Sequence, residues 1–340
     1  MKKRIVGIVA GIAALFIGAG LSAAGQDWSA DFKIVRVGDG VFAAIGAPGG
    51  QAGSNAGFIV GDAGVLVVDS FLTPKAAEEL IAAIKQQTQQ PIKYVVNTHY
   101  HLDHVGGNQV FQAMGMPIIA QENVRAWVPT KNSKFLPPPE QLKKQREDTA
   151  KSLADTPADQ AQKRQQLERR LKQIDSFLTI NLTPPSLTYE AGPLHLYLGK
   201  REVTLVTLPG HTGGDTLAFV PDANVLFMGD MGWVKTLPNL VDATVVDWVK
   251  SLDAVLTRHA SAKFVPGHGE VGEAADIRDF RDYLDDLHNR VKAAIDGGLT
   301  LDQAKEQLKP PEKFKAFGAQ FFVQPNVQDM YNELKGTKQK

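Results

Sequence analysis

Cysteine is absent from all 340 residues, so disulfides, thiolate metal ligands and cysteine nucleophiles are excluded together. Positive charge is not in surplus either. Lysine plus arginine and aspartate plus glutamate number 37 each, which leaves no electrostatic footprint for a phosphate backbone, and nucleic acid is not an expected partner. After residue 21 no apolar run approaches the length of a bilayer span. Gly-x-Ser-x-Gly, a Walker loop and a dinucleotide fingerprint are all missing, which removes the readily recognised competing enzyme readings. What is present is histidine, in eight unevenly placed copies.

The N-terminus reads as an address. Lys2-Lys3-Arg4 precedes an apolar, Gly/Ala-rich run from Ile5 to Leu21, and Ser22-Ala23-Ala24 supplies the small residues of a cleavage site. Residues 1–24 are therefore expected to be a signal peptide, not a retained anchor. The expected location is periplasmic or secreted, without stable membrane insertion after cleavage. Cleavage removes three basic residues and no acidic ones, leaving 34 against 37, a formal charge of −3. The absence of cysteine is compatible with export to an oxidising compartment.

Three of the eight histidines fall in Thr98-His99-Tyr100-His101-Leu102-Asp103-His104, directly after the apolar run Ile92 to Val96. In an extended chain His99, His101 and Asp103 would project from one side and His104 elsewhere, so that one short loop could serve two neighbouring metal ions. Two further histidines follow apolar runs and then Pro-Gly: Pro209-Gly210-His211 and Pro266-Gly267-His268. Each reads as a buried strand that turns sharply to present an imidazole. Between them another apolar run, Val225 to Met228, ends in Gly229-Asp230. His195, His259 and His288 lack ligand-type neighbours and are expected at the surface or at an edge. Trp127 and Trp233 are expected in the core, with a substrate wall as the alternative.

Phe32–Val37, Val41–Ile45, Ala56–Val60 and Val65–Val68 read as strands of one antiparallel sheet. Thr73 to Gln87 reads as a helix with Thr73 as cap and Pro74 in the first turn. A short helix is expected over Gly107–Met114, a strand over Ile118–Ala120, and alternating strand and helix from Leu194 to Val265. Between Pro129 and Pro185 a charged, glutamine-rich segment interrupts this pattern. It reads as a helical hairpin over about 135–180, divided at Asp155 to Asp159 with Thr156 as cap and Pro157 as first helical residue. Two readings stand: a solvated decoration with one packed stripe, or a lid or dimer contact at the site mouth. An amphipathic helix over Asp276–Asp296 follows, then a short helix from Thr300 to Leu308. Phe317 to Val323 is expected to pack back, and the last five residues, Gly336 to Lys340, are expected to fray. The expected domains are residues 27–298 as one catalytic unit and 299–340 as a helical tail packed on it.

His99-x-His101-x-Asp103-His104, Gly106-Gly107, Pro209-Gly210-His211, Gly229-Asp230 and Pro266-Gly267-His268 resemble the metallo-β-lactamase superfamily in type, order and approximate spacing. The resemblance covers roughly residues 33–290 apart from the insertion. It implies an α/β fold of four αββα layers and a dinuclear zinc centre with a bridging aspartate. His99, His101 and His211 would hold one zinc; Asp103, His104 and His268 would hold the second; Asp230 would bridge, with Asp103 and Asp230 catalytic. The implied cofactor is two zinc ions per chain, with iron as the other metal. The implied reaction on a small molecule is attack of metal-bound hydroxide on the carbonyl of an ester, thioester, lactone or lactam. By the same resemblance Asp69 would support a ligand histidine, although a turn or helix-cap role fits it equally. An aspartate at position 230 departs from the zinc β-lactamases, where Cys or Ser is common, while export favours them. A dedicated periplasmic β-lactamase, an iron-dependent sulfur or oxygen oxidoreductase and a noncatalytic exported binding protein remain the alternatives.

Overall fold

The computed structural model describes residues 31–338; the expected signal peptide, residues 1–24, lies outside them, as do Gln339 and Lys340. β1 (Phe32–Gly38), β2 (Val41–Gly46), β3 (Ala56–Gly61) and β4 (Gly64–Val68) form an antiparallel meander, as their alternation predicts. β5 (Ile92–Val96), β6 (Ile118–Gln121) and β7 (Leu187–Tyr189) extend it in parallel to a seven-stranded sheet. The crossovers carry α1 (Pro74–Gln87), then α2 (Leu102–Val105) and α3 (Asn108–Ala113). Thr73 starts α1 as expected, its hydroxyl accepting the Ala76 N–H at 3.2 Å with Pro74 in the first turn.

The second sheet differs from the expected alternation. β8 (Leu194–Leu198), β9 (Arg201–Thr207), β10 (Thr216–Val220) and β11 (Val225–Trp233) run consecutively as antiparallel strands, with no α-helix among them. Short connections such as Gly199-Lys200 allow only hairpins there. Only α7 (Val245–Arg258) intervenes before β12 (Lys263–His268), which lies parallel to β11 at the sheet edge. α8 (Ala274–Asp296) begins two residues earlier than its apolar spacing suggested. Glu273 and Asp276 form a reciprocal capping box that nucleates it there.

Apolar side chains of the two sheets meet face to face, with Val41, Ile59, Leu66 and Val68 against Leu205, Val220, Phe227 and Val265. α1 and α3 cover the outer face of the first sheet through Leu80, Ile84 and Phe111. Trp248 of α7 and Phe280 of α8 cover the second sheet. The fold is therefore the four-layer αββα arrangement, and each layer has an apolar face to bury. α9 (Leu301–Gln307), α10 (Glu312–Lys315) and α11 (Val323–Leu334) pack on the second sheet's helices through Ala304, Phe314, Val327 and Met330. Phe322 and Val323 pack back with them, while Phe321 is exposed. No helix among the described residues is long and apolar enough to cross a membrane.

Between β6 and β7 the chain leaves the sheet through α4 (Glu122–Lys131) and the antiparallel pair α5 (Pro139–Ala154) and α6 (Ala161–Phe177). The hairpin's cap is not where the sequence placed it. The Thr156 hydroxyl donates to the Ser152 carbonyl at 2.6 Å and so closes α5, and α6 starts only at Ala161 after Gln160. Arg164 also occupies the Leu153 and Thr156 carbonyls, at 3.0 and 2.7 Å, which fixes the turn in this form. Leu142, Ile174 and Phe177 form the packed stripe, and their partners are Leu72 and Leu102. Leu102 opens the short helix that carries Asp103 and His104, so the hairpin braces the histidine-rich loop from behind.

Candidate metal centre

Asp69 follows β4 and organises the loop after β5. Its carboxylate accepts the Thr98 N–H and the Thr98 hydroxyl, both at 2.8 Å, and it lies 2.8 Å from His104 Nδ1. Because the Thr98 hydroxyl gives its hydrogen to Asp69, it accepts from His99 Nδ1, 3.1 Å away. The lone pair of His99 is thereby left on Nε2, and Nδ1 of His104 is committed to Asp69. Asp69 also has a left-handed backbone, φ 62°, so it serves as turn residue and as support for a histidine at once.

The loop is not extended throughout, contrary to expectation. The chain turns helical after His101, and α2 brings Asp103 and His104 round to a second position one turn further on. Two sets still form, but Asp103, which strand alternation would place with His99 and His101, is carried by this helical turn to the side of His104. His99, His101, His211 and Asp230 form one group, and Asp103, His104 and His268 the other.

Asp230 lies between them. Its Oδ2 is 3.3 Å from His211 Nε2 and 3.8 Å from His99 Nε2. Its Oδ1 is 3.1 Å from His104 Nε2 and 3.4 Å from His268 Nε2. His268 Nε2 and Asp103 Oδ2 are 3.2 Å apart, and His101 Nδ1 and His211 Nε2 are 2.9 Å apart. A tetrahedral zinc site with arms of about 2.0–2.2 Å has edges of roughly 3.3–3.6 Å, close to most of these separations. His99 Nε2, His104 Nε2 and Asp230 Oδ1 are buried with no hydrogen-bond partner. Buried polar atoms are rarely left so, and three of them converging with three further imidazoles, those of His101, His211 and His268, fit a pair of cations. The seven residues the sequence singled out are thus brought together, while His195, His259 and His288 lie elsewhere with Glu202, Phe219 and Asn289 respectively.

Charge balance in the cluster is uneven. Burial, reinforced by His104 and His101, pushes His99 well below the ordinary histidine range, and burial takes His211 down to about 3, so both imidazoles are neutral and keep a lone pair. Burial acts the same way on His104 and His268, but the carboxylates outweigh it. Asp230, Asp69 and Asp103 hold His104 well above its usual value, and Asp230 and Asp103 bring His268 to about 9. Burial opposes ionisation of Asp230, yet His268, His104 and His211 keep it well below the carboxylate range. Protons and divalent cations compete for the same nitrogens at such a site.

Several contributors had no motif to reveal them. Asp242, in the loop after β11, sits 3.1 Å from His101 Nε2 and accepts the Tyr100 hydroxyl, so it leaves His101 Nδ1 facing the group. Lys131 at the end of α4 lies 3.5 Å from Asp242 Oδ1 and 4.0 Å from the centre of the Trp127 ring. Asn55 donates to the Pro266 and Gly269 carbonyls at 2.9 and 2.8 Å, and its own N–H donates to Gly267 O at 2.7 Å, clasping the end of β12 to the first sheet. Trp233, a core residue as expected, also stacks on His268 at 4.1 Å and donates to the Asp230 carbonyl. Only their local sequence surroundings, Val241-Asp242-Ala243 for example, were available beforehand, and these resemble ordinary loop and helix.

At Gly267 a Cβ would lie 1.9 Å from Asp230 Oδ1. Gly267→Ala is therefore expected to displace the carboxylate without deleting any candidate ligand. Metal content after dialysis, measured by atomic emission, should fall to that of Asp230→Ala while far-UV circular dichroism is unchanged.

A layered α/β sandwich that gathers histidines and aspartates at its strand ends is the frame of a metal-dependent hydrolase, and relatives of that class are found on comparison. The model for the metallo-β-lactamase superfamily matches residues 49–120. A metallo-β-lactamase type 2 from Bacillus cereus is 26% identical over 234 residues, 67% of this chain and 72% of that protein. A linear primary-alkylsulfatase from a Pseudomonas species is 22% identical over 289 residues, 80% of this chain and 52% of the enzyme. The solved structure of a stereoselective inverting sec-alkylsulfatase from Pseudomonas aligns with TM-score 0.65 at 19% identity, over 88% of this chain and 50% of that one. By sequence this chain is similar to the metallo-β-lactamase superfamily, and by fold to a solved metallo-β-lactamase.

Proposed function

We propose that the chain is an exported dinuclear zinc hydrolase acting on the carbonyl of an ester, thioester, lactone or lactam. The observation that carries this reading is the division of Asp230, one oxygen toward His99 and His211 and the other toward His104 and His268. His99, His101 and His211 would hold one ion, and Asp103, His104 and His268 the other. Such a pair, when bound, supplies Lewis acidity and activates water at neutral pH.

The chain's own residues fix where that chemistry takes place. Thr98 and Asp69 hold His99 and His104, and Asp242 holds His101, so the ligand nitrogens are set before a substrate arrives. Burial oxygens-inward keeps Asp103 and Asp230 away from bulk water, and neighbouring imidazoles keep both ionised although burial opposes it. Held ionised, Asp103 would be able to accept a hydrogen from a water brought between the two groups. Access runs past His268, whose side chain is 20% exposed while His99, His104 and His211 are enclosed.

A second reading, hydrolysis of an alkyl sulfate ester, is favoured by the extent of the sulfatase likeness, which takes in more of this chain than the Bacillus lactamase does. A panel of penicillin, cephalosporin, lactone, thioester and alkyl sulfate, each assayed with and without chelator, separates the two. Chelator-sensitive turnover of a carbonyl substrate is the expected result; turnover of the alkyl sulfate alone would replace the first reading by the second. One iron per chain without zinc, in protein purified without added metal, would defeat both.

A further inference from the structure

The loop between β11 and α7 carries Asp242, and its backbone is stitched along its length to the C-terminal tail. Gly318 N–H donates to Lys235 O at 2.8 Å and Leu237 N–H donates to Gly318 O at 3.0 Å. Asn326 Nδ2 donates to Pro238 O at 3.0 Å, and Glu333 Oε1 accepts the Val245 N–H at 2.8 Å. Lys338 lies in the segment expected to fray, and it does not fray. Its side chain is 6% exposed, and Nζ donates to Leu240 O at 2.7 Å and to Ala243 O at 2.6 Å, with Glu333 Oε2 at 3.3 Å.

Those two carbonyls flank Asp242 in the chain. An ammonium has three donors, and here they are divided between the two carbonyls and one carboxylate. Burying such a charge is unfavourable unless it is fully paired, and an apolar side chain would fill the same space without that cost. What the ammonium adds is a fixed position for the Leu240 and Ala243 carbonyls. Asp242 is near enough to contribute to the attraction on Lys338 together with Glu333 and Asp329. Lys131 meets the Asp242 carboxylate at 3.5 Å.

We infer that Lys338 and Glu333 are positioning residues for the metal centre: by gripping the backbone on either side of Asp242 they aim its carboxylate at His101 Nε2, which turns His101 Nδ1 toward His211 and Asp230. The inference rests on the proposed role of His101 as a metal ligand. It makes the tail a working part of the site, although the tail contains no candidate ligand.

The test uses the full chain with Lys338→Met, Asp242→Asn and the double variant. In metal-free protein, amide hydrogen exchange across residues 236–245 is expected to quicken at least about tenfold in Lys338→Met, as a clamp that raises local opening free energy requires. Cobalt affinity, measured by chelator competition, is expected to fall about tenfold in each single variant, within the range for a lost partner of a ligand. The double variant should be no weaker than Asp242→Asn, since both changes act through one carboxylate. Lys338→Arg should restore affinity in part, and Glu333→Gln, which alters charge with little change of shape, carries the same test if Lys338→Met folds poorly. Unchanged exchange in the loop, or losses of cobalt affinity that add in the double variant, would overturn the inference. A wild-type chain that binds no divalent ion would defeat the proposed function instead, and the exchange experiment on metal-free protein would still decide whether Lys338 holds the loop.

Discussion

Asp230→Ala is expected to abolish turnover, with a loss on the order of 10³-fold or more, and to leave protein that retains little zinc after dialysis. The carboxylate is buried and approaches four imidazoles within 3.1–3.8 Å, so in the bridging role proposed for it, its removal would take one ligand from each ion at once. A loss of several kcal/mol in stabilisation of the reacting centre corresponds to that factor. The fold should persist. Without Asp230, His104 and His268 lose their largest electrostatic support and can shed their extra protons, which avoids a stranded buried charge. Near-UV circular dichroism of the metal-free variant should overlay that of metal-free wild type. Wild-type turnover in a zinc-free variant would remove Asp230 from the site.

Asp69→Ala is expected to show the largest effect on stability. Three donors, the Thr98 N–H, the Thr98 hydroxyl and His104 Nδ1, all lie 2.8 Å from this carboxylate in a buried setting. Truncation leaves them unpaired together, and breaking a buried ionic network by removing one partner costs about 3–5 kcal/mol. Urea unfolding of chelated protein isolates this term, since no ion then contributes to either variant. Zinc affinity should fall as well, by about 10–100-fold, because His104 loses its direct partner and the Thr98 hydroxyl that holds His99 loses the acceptor that orients it. A midpoint unchanged within error would mean that Asp69 is a turn residue only.

Of the candidate ligands, His211, Asp230 and His268 were legible because each stands at the end of an apolar run, where strand geometry leaves few choices for the side chain, and His99, His101, Asp103 and His104 because they crowd into one short stretch. The meander β1–β4 was legible for a related reason: alternation and Gly-Asp turns agree there. The loop from Thr98 to His104 was misjudged in geometry because the backbone hydrogen bonds of α2 and the packing of Leu102 on the hairpin favour a helical turn, and neither is visible locally. Thr156 was misplaced because Ser152, four residues back, offers a carbonyl that competes with capping. Asp242 and Lys338 escaped notice for a different reason. Their partners, His101 and the Leu240 and Ala243 carbonyls, lie 141, 98 and 95 residues away, and no spacing rule spans such distances.

The three hydrogen bonds of Asn55 join the β12 end to the opposite sheet directly beside His268. The same sheets are also joined at the far end, where the Ala63 N–H donates to Leu198 O at 3.3 Å and the Arg201 guanidinium donates to Val60 O at 2.6 Å, so both rims are held and the scaffold sets the spacing between His268 and the candidate ligands of the first sheet.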